Sequence, residues 1–124
     1  MSLNMESSVH NNPDGLLPSV FKSELSDNSG SLHFYLEDKL PGISGHFPGY
    51  PLAPGYLQLL WVEFLLKKIN PYAKISAIKD VKFKGEINPP CEVSVLLKLN
   101  IDSSELEFKI MVLNATKTSG ILKL

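Results

Sequence analysis

After Pro71, apolar and polar residues alternate with a period of two, the pattern of strands that bury one face. Ile75–Lys84, Cys91–Asn100, Glu105–Leu113 and Lys117–Leu124 are the predicted strands. Val93, Val95, Leu97 and Leu99 share one face, and Leu106, Phe108, Ile110 and Val112 share a face of the next strand. Turns are predicted at Asn88-Pro89-Pro90, Asp102-Ser103-Ser104 and Asn114-Ala115-Thr116. Two earlier segments, Pro18–Ser26 and Ser31–Glu37, alternate in the same way, with Leu32, Phe34 and Leu36 opposite His33, Tyr35 and Glu37. The Asp27-Asn28-Ser29-Gly30 cluster between them predicts a hairpin turn.

One block breaks the period. Tyr56–Leu66 reads YLQLLWVEFLL, eleven residues interrupted only by Gln58 and Glu63. It continues to Lys67-Lys68, whose charges suit the negative end of a helix dipole, and stops before Asn70-Pro71. A helix is therefore predicted over about Gly55–Ile69; apolar nearly all round, it should be buried on most sides. The apolar run falls short of the roughly 18 residues that cross a bilayer, so no membrane partner is expected. Before it, residues 41–55 carry four prolines and four glycines, too many for a helix or a central strand, and predict an ordered loop. Residues 1–15, rich in Ser, Asn, Pro and Gly, show no periodicity and predict a flexible lead-in over 1–17, with one domain over 18–124. Two strands, a loop, one helix and four strands make an α+β domain, an antiparallel sheet covering one helix. A sheet of five or six strands leaves open edges, and joining edges across a dimer is the usual remedy.

Composition narrows the function classes. At 124 residues the chain holds one domain, which excludes a two-domain enzyme. Twelve basic residues against 13 acidic ones leave a formal charge of -1, with no excess to neutralise a phosphate backbone, so nucleic acid is not an expected partner. The single Cys91 cannot form an internal disulfide and reads as a small packing residue; with no secretory pattern at the start, a cytoplasmic location is expected. His10, His33, His46 and Cys91 lack metal-ligand spacing, and there is no nucleophile elbow, phosphate-binding loop or dinucleotide fingerprint. Neither a metal nor a cofactor is expected.

The loop carries the chemistry. His46-Phe47-Pro48-Gly49-Tyr50-Pro51-Leu52-Ala53-Pro54-Gly55 has the form H-F-P-G-x-P-x-x-P-G, with all seven fixed positions present. Its prolines lock φ at every third residue and remove donors, while Gly49 and Gly55 permit close backbone approach; such a rigid loop positions side chains well. On this signature, and on Gln58-Leu59-Leu60-Trp61 after it, the chain resembles the hotdog-fold 3-hydroxyacyl-(acyl carrier protein) dehydratases, especially the aryl-polyene-type dehydratase-like members. The resemblance spans roughly residues 18–124 and includes the segment ISAIKDVKFK. It implies a hotdog fold, an antiparallel sheet wrapped around one central helix, and a role in fatty-acid or related lipid biosynthesis.

Dehydrating a 3-hydroxyacyl thioester needs a base for the C2 proton, an acid for the leaving hydroxyl and a donor to polarise the carbonyl. The resemblance implies His46 as base and the Gly55 N–H, at the start of the helix, as carbonyl donor. It implies Phe47, Pro48, Gly49, Pro54, Tyr56 and Leu60 as substrate-binding residues. In the family the acid is a Glu or Asp on this helix, fourteen positions after the histidine; here that position is Leu60, which can neither donate nor accept a proton. Glu63 lies about 4.5 Å further along the axis and about 60° around it, and reads as a polar residue at a wet or salt-bridged position. Gln58 points elsewhere and reads as a hydrogen-bonding or interface residue.

The resemblance further implies a homodimer, with His46 of one subunit facing the helix of the other across an apolar acyl tunnel. Tyr50, Leu52, Tyr56, Leu59 and Trp61 are tunnel, interface or core residues on this reading. The expected partner is an acyl-(acyl carrier protein) or acyl-CoA thioester, with Lys79, Lys82 and Lys84 as candidates for a carrier-binding patch. Because Leu60 stands in the acid position, three functions follow: a dehydratase using another acid, a noncatalytic acyl-binding or partner subunit, and an acyl thioesterase.

Overall fold

In the computed structural model the described residues are 4–9, 17–18, 20–37 and 52–124. The strands are β1 (Asn4–Val9), β2 (Val20–Leu25), β3 (Ser29–Leu36), β4 (Ala77–Phe83), β5 (Cys91–Asn100), β6 (Glu105–Val112) and β7 (Ala115–Lys123), and the helix is α1 (Gly55–Ile69). The α1 and β5 spans coincide with the periodicity reading. All seven strands form one antiparallel sheet of order β1-β2-β3-β5-β6-β7-β4.

The inward residues are the alternating apolar ones. Leu32, Phe34 and Leu36 of β3, Val93, Val95 and Leu97 of β5, and Leu106, Phe108 and Ile110 of β6 are buried in one core with Leu57, Trp61, Val62, Leu65 and Leu66 of α1. Register makes this layer continuous: Phe34 opposes Val93, Val95 opposes Ile110 and Leu97 opposes Phe108. The Trp61 ring meets Phe34 edge to face at 5.0 Å. Each large apolar side chain so buried contributes about 1.5–3 kcal/mol, which holds the helix on the sheet.

The structure corrects four expectations. The lead-in expected over 1–17 contains strand β1, paired with β2, and Leu17 is buried in the core. An edge strand pairs through its backbone and needs no apolar alternation, so NMESSV carries no period-two signal. With β1 the sheet has seven strands rather than five or six. The first hairpin turn is tighter than expected: Ser29 and Gly30 already belong to β3, and the Ser26 N–H donates to the Ser29 carbonyl at 2.8 Å. Between β6 and β7 only Leu113 and Asn114 form the turn, Leu113 taking a positive φ of 57°, so Ala115 and Thr116 enter the strand.

As expected, α1 is buried or half-buried along most of its length; Tyr56, Leu60 and Lys67 are its exposed residues, and Tyr56 and Leu60 are the apolar ones. The chain leaving α1 then crosses to the far edge, where β4 pairs with β7 alone among the described residues. Every β4 residue except Val81 is exposed.

Candidate functional site

The N-terminus of α1 is built without a side-chain cap. Pro54 is the N-cap, and its carbonyl accepts from the Leu57 N–H at 3.1 Å and the Gln58 N–H at 3.2 Å. The Gln58 side chain is buried; its Nε2 donates to the Ala53 carbonyl at 2.9 Å, and its Oε1 accepts from the Thr118 hydroxyl of β7. The Ala53 N–H in turn donates to the Ile87 carbonyl at 2.9 Å. Both backbone polar groups of Ala53 are thus held two residues before the helix begins. Among the described residues nothing accepts from the Gly55 N–H. An uncapped N–H at a helix N-terminus favours negative charge, including the charge that develops on a carbonyl oxygen during enolisation.

The space around Gly55 is closed on one side by Phe83 of β4. A Cβ at Gly55 would lie 2.9 Å from Phe83 Cζ, so the ring sits where any other residue would place its side chain. Phe83 itself is 56% exposed, and Tyr56 on the first turn is 53% exposed. Leu60 follows one turn later at 40%, with half-buried Glu63 and exposed Lys67 beyond it on the same side. A depression of about 280 Å³ runs along this side, lined by Leu60, Glu63, Phe64, Lys67 and Lys68. No described carboxylate of α1 other than Glu63 reaches it.

The structure gathers Pro54, Gly55, Tyr56 and Leu60 at the first two turns of α1. His46, Phe47, Pro48 and Gly49, together with Tyr50, lie outside the described residues. Of the tunnel or core candidates, Trp61 is wholly core, Leu52 and Leu59 are half-buried, and Tyr56 is exposed. Lys79 is tied to Glu105 at 2.8 Å, holding the Glu105 carboxyl below the usual carboxylate range and leaving Lys82 and Lys84 exposed on β4 and just past it. His33 hydrogen-bonds Ser94 Oγ at 2.9 Å and Ser31 Oγ at 3.1 Å on the outer sheet face. Cys91 is half-buried, and burial pushes its thiol pKa up despite nearby Lys117, which makes it a poor nucleophile. No group of three or more metal-ligating side chains occurs among the described residues. No helix there is long and apolar enough to cross a membrane.

Thr118 and Phe83 escaped the sequence reading. The signal for Thr118 was its alternation with Gly120 and Leu122, which puts a hydroxyl on the buried face and so demands a partner. Phe83 was read only as part of the Ile75–Lys84 strand, whose sequence ISAIKDVKFK belongs to the resemblance, with no role of its own. A larger concavity, about 710 Å³, lies on the sheet face away from α1 and includes Ser31, Lys82, Lys109 and Ser119. Its lysines are offset by Glu24, Asp80 and Glu107, and among the described residues of the loop signature, 52–55, none borders it.

One apolar helix laid against an antiparallel sheet, with its N-terminus prepared by a Pro-Gly step, is the arrangement of a hotdog fold. Residues 22–121 match the ApeI-like family, ApeI dehydratase, and the chain belongs to that family. It is similar to a structure of the dehydratase heterocomplex ApeI:P from Xenorhabdus doucetiae, at 26% identity and a TM-score of 0.74, over 79% of this chain and 88% of that one. An uncharacterized protein from Erwinia carotovora subsp. atroseptica shares the fold at 22% identity and a TM-score of 0.70, over 99% of this chain and 91% of its own. No curated protein matches the chain.

Proposed function

We propose that this protein dehydrates 3-hydroxyacyl thioesters, carried on acyl carrier protein or coenzyme A, for fatty-acid or related lipid synthesis. The observation that carries the proposal is the ApeI-like match over residues 22–121, which encloses the whole His46–Gly55 signature and α1. In this reading His46 removes the C2 proton and the Gly55 N–H stabilises the enolate oxygen. The C3 hydroxide then leaves as water, taking its proton from a group other than residue 60. Phe47, Pro48, Gly49, Pro54, Tyr56 and Leu60 contact the acyl chain or its carrier arm. The site is completed by a second subunit that continues the sheet: β4 is an exposed edge, and Ile78, Phe83, Tyr56 and Leu60 offer it apolar cover. The lone thiol of Cys91 suits a reducing cytoplasm.

Losing a positioned acid lowers such a rate by roughly 10²- to 10⁴-fold. That favours one second reading, in which the exposed Leu60 face pairs with a hotdog subunit of different sequence and this chain contributes binding rather than proton transfer. The similar Xenorhabdus protein is described as a heterocomplex.

Purified protein incubated with 3-hydroxyacyl thioesters separates the readings. Dehydration lost in His46→Ala and raised in Leu60→Asp supports the enzyme; free thiol release points to a thioesterase; neither product points to a partner subunit. A folded Leu60→Asp variant with unchanged dehydration counts against the importance of the missing acid.

A further inference from the structure

Gln58 and Thr118 are two of the three buried polar side chains among the described residues, and they bond to each other. We propose that Gln58, held by Thr118, is the positioning residue that aims the Gly55 N–H at the thioester carbonyl. The inference rests on the dehydration reading and adds to it two residues outside the ten-residue loop signature.

Gln58 holds two consecutive carbonyls: its backbone N–H donates to Pro54 at 3.2 Å and its side chain to Ala53 at 2.9 Å. In a trans peptide the N–H points opposite to the C=O. With the Pro54 carbonyl turned into the helix, the Gly55 N–H points out of it, ahead of the first turn. Three constraints keep that peptide plane in place. The Ala53 carbonyl is fixed by Gln58, the Pro54 ring locks φ at -68°, and the two helix N–H groups set ψ at 158°. Rotation of the plane would have to break at least one of these bonds.

Thr118 gives the Gln58 amide its direction. Its hydroxyl donates to Oε1, which leaves the NH₂ end facing Ala53. Thr118 lies on β7 opposite Phe83 of β4, the residue whose ring covers Gly55. Apolar side chains would fill the same space without desolvating an amide and a hydroxyl, but only a polar pair can orient a carbonyl. The loop exit, α1, β7 and β4 therefore converge on one peptide plane.

The test uses Thr118→Val, which keeps the side-chain shape and removes the hydroxyl, with Thr118→Ser as the rescue. Infrared spectra of a bound saturated acyl-pantetheine thioester, ¹³C-labelled at its carbonyl and unable to eliminate, read the polarisation directly. The wild-type protein lowers the carbonyl stretching frequency; Thr118→Val loses most of that shift and about 10- to 100-fold in kcat, with KM little changed, and Thr118→Ser recovers both. A folded Thr118→Val protein with wild-type frequency and kcat overturns the inference while leaving the dehydration reading standing. A wild-type protein that neither shifts the carbonyl nor dehydrates overturns that reading and the inference with it. If Thr118→Val does not fold, Gln58→Met carries the same expectations and the same overturning result.

Discussion

The two faces of α1 look alike in sequence and live in different surroundings. Leu57, Trp61, Leu65 and Leu66 on one face are sealed against the sheet, whereas Tyr56 and Leu60 on the other stay open within the protomer. Both sets are apolar at helical spacing, so hydrophobicity alone does not say which contacts this sheet. The difference teaches that the chain carries more apolar surface than its own fold consumes. A patch of that kind beside an exposed edge strand is the surface a second subunit or an acyl chain would cover.

The largest expected effect is on the sealed face. Trp61→Ala should lose about 3–5 kcal/mol in denaturant unfolding, because the indole is fully buried and its edge-to-face partner Phe34 would border a cavity. A loss below 1 kcal/mol would mean the two faces are not so different after all. On the open face, Leu60→Asp should change protomer stability by less than about 1 kcal/mol, since residue 60 is 40% exposed. Repeating that measurement over a range of protein concentrations sharpens the contrast: a cost that grows with concentration locates Leu60 in an assembly interface.

The smallest effect tests the edge next to the open face. The Lys79–Glu105 pair ties β4 to β6 across β7, and its carboxyl is held below the ordinary range. The unfolded chain therefore binds a proton more readily, and the pair stabilises the fold at neutral pH. This contribution is lost as pH falls through the lowered folded-state pKa. Wild type should melt slightly above Glu105→Gln at neutral pH and low salt, with the gap closing in acid and in high salt. A gap that persists in acid would show that Glu105 acts through packing instead.

Much of the architecture was legible. The helix announced itself through an apolar block between Pro54-Gly55 and Lys67-Lys68, and β5 through its strict alternation of Val93, Val95, Leu97 and Leu99. Strand β1 was not legible, because a polar edge strand is held by backbone pairing that leaves no mark on side-chain pattern. Of the candidate site, only the resemblance pointed to Leu60, as the position where that family carries an acid, and Gln58 was readable as a hydrogen-bonding residue. Its partners were not.

The sequence by itself determined the helix and strands β2 to β7, where the rigid loop signature ends, and that residue 60 carries no acid. These depend on residues close together in the chain, whose spacing sets periodicity and backbone freedom. Tertiary structure alone decided which face of α1 turns outward, that β4 lands at the far edge with Phe83 over Gly55, and that Thr118 orients Gln58. The physical reason is separation: Gln58 and Thr118 are 60 residues apart, and their contact exists only once the sheet register has brought β7 beneath the helix.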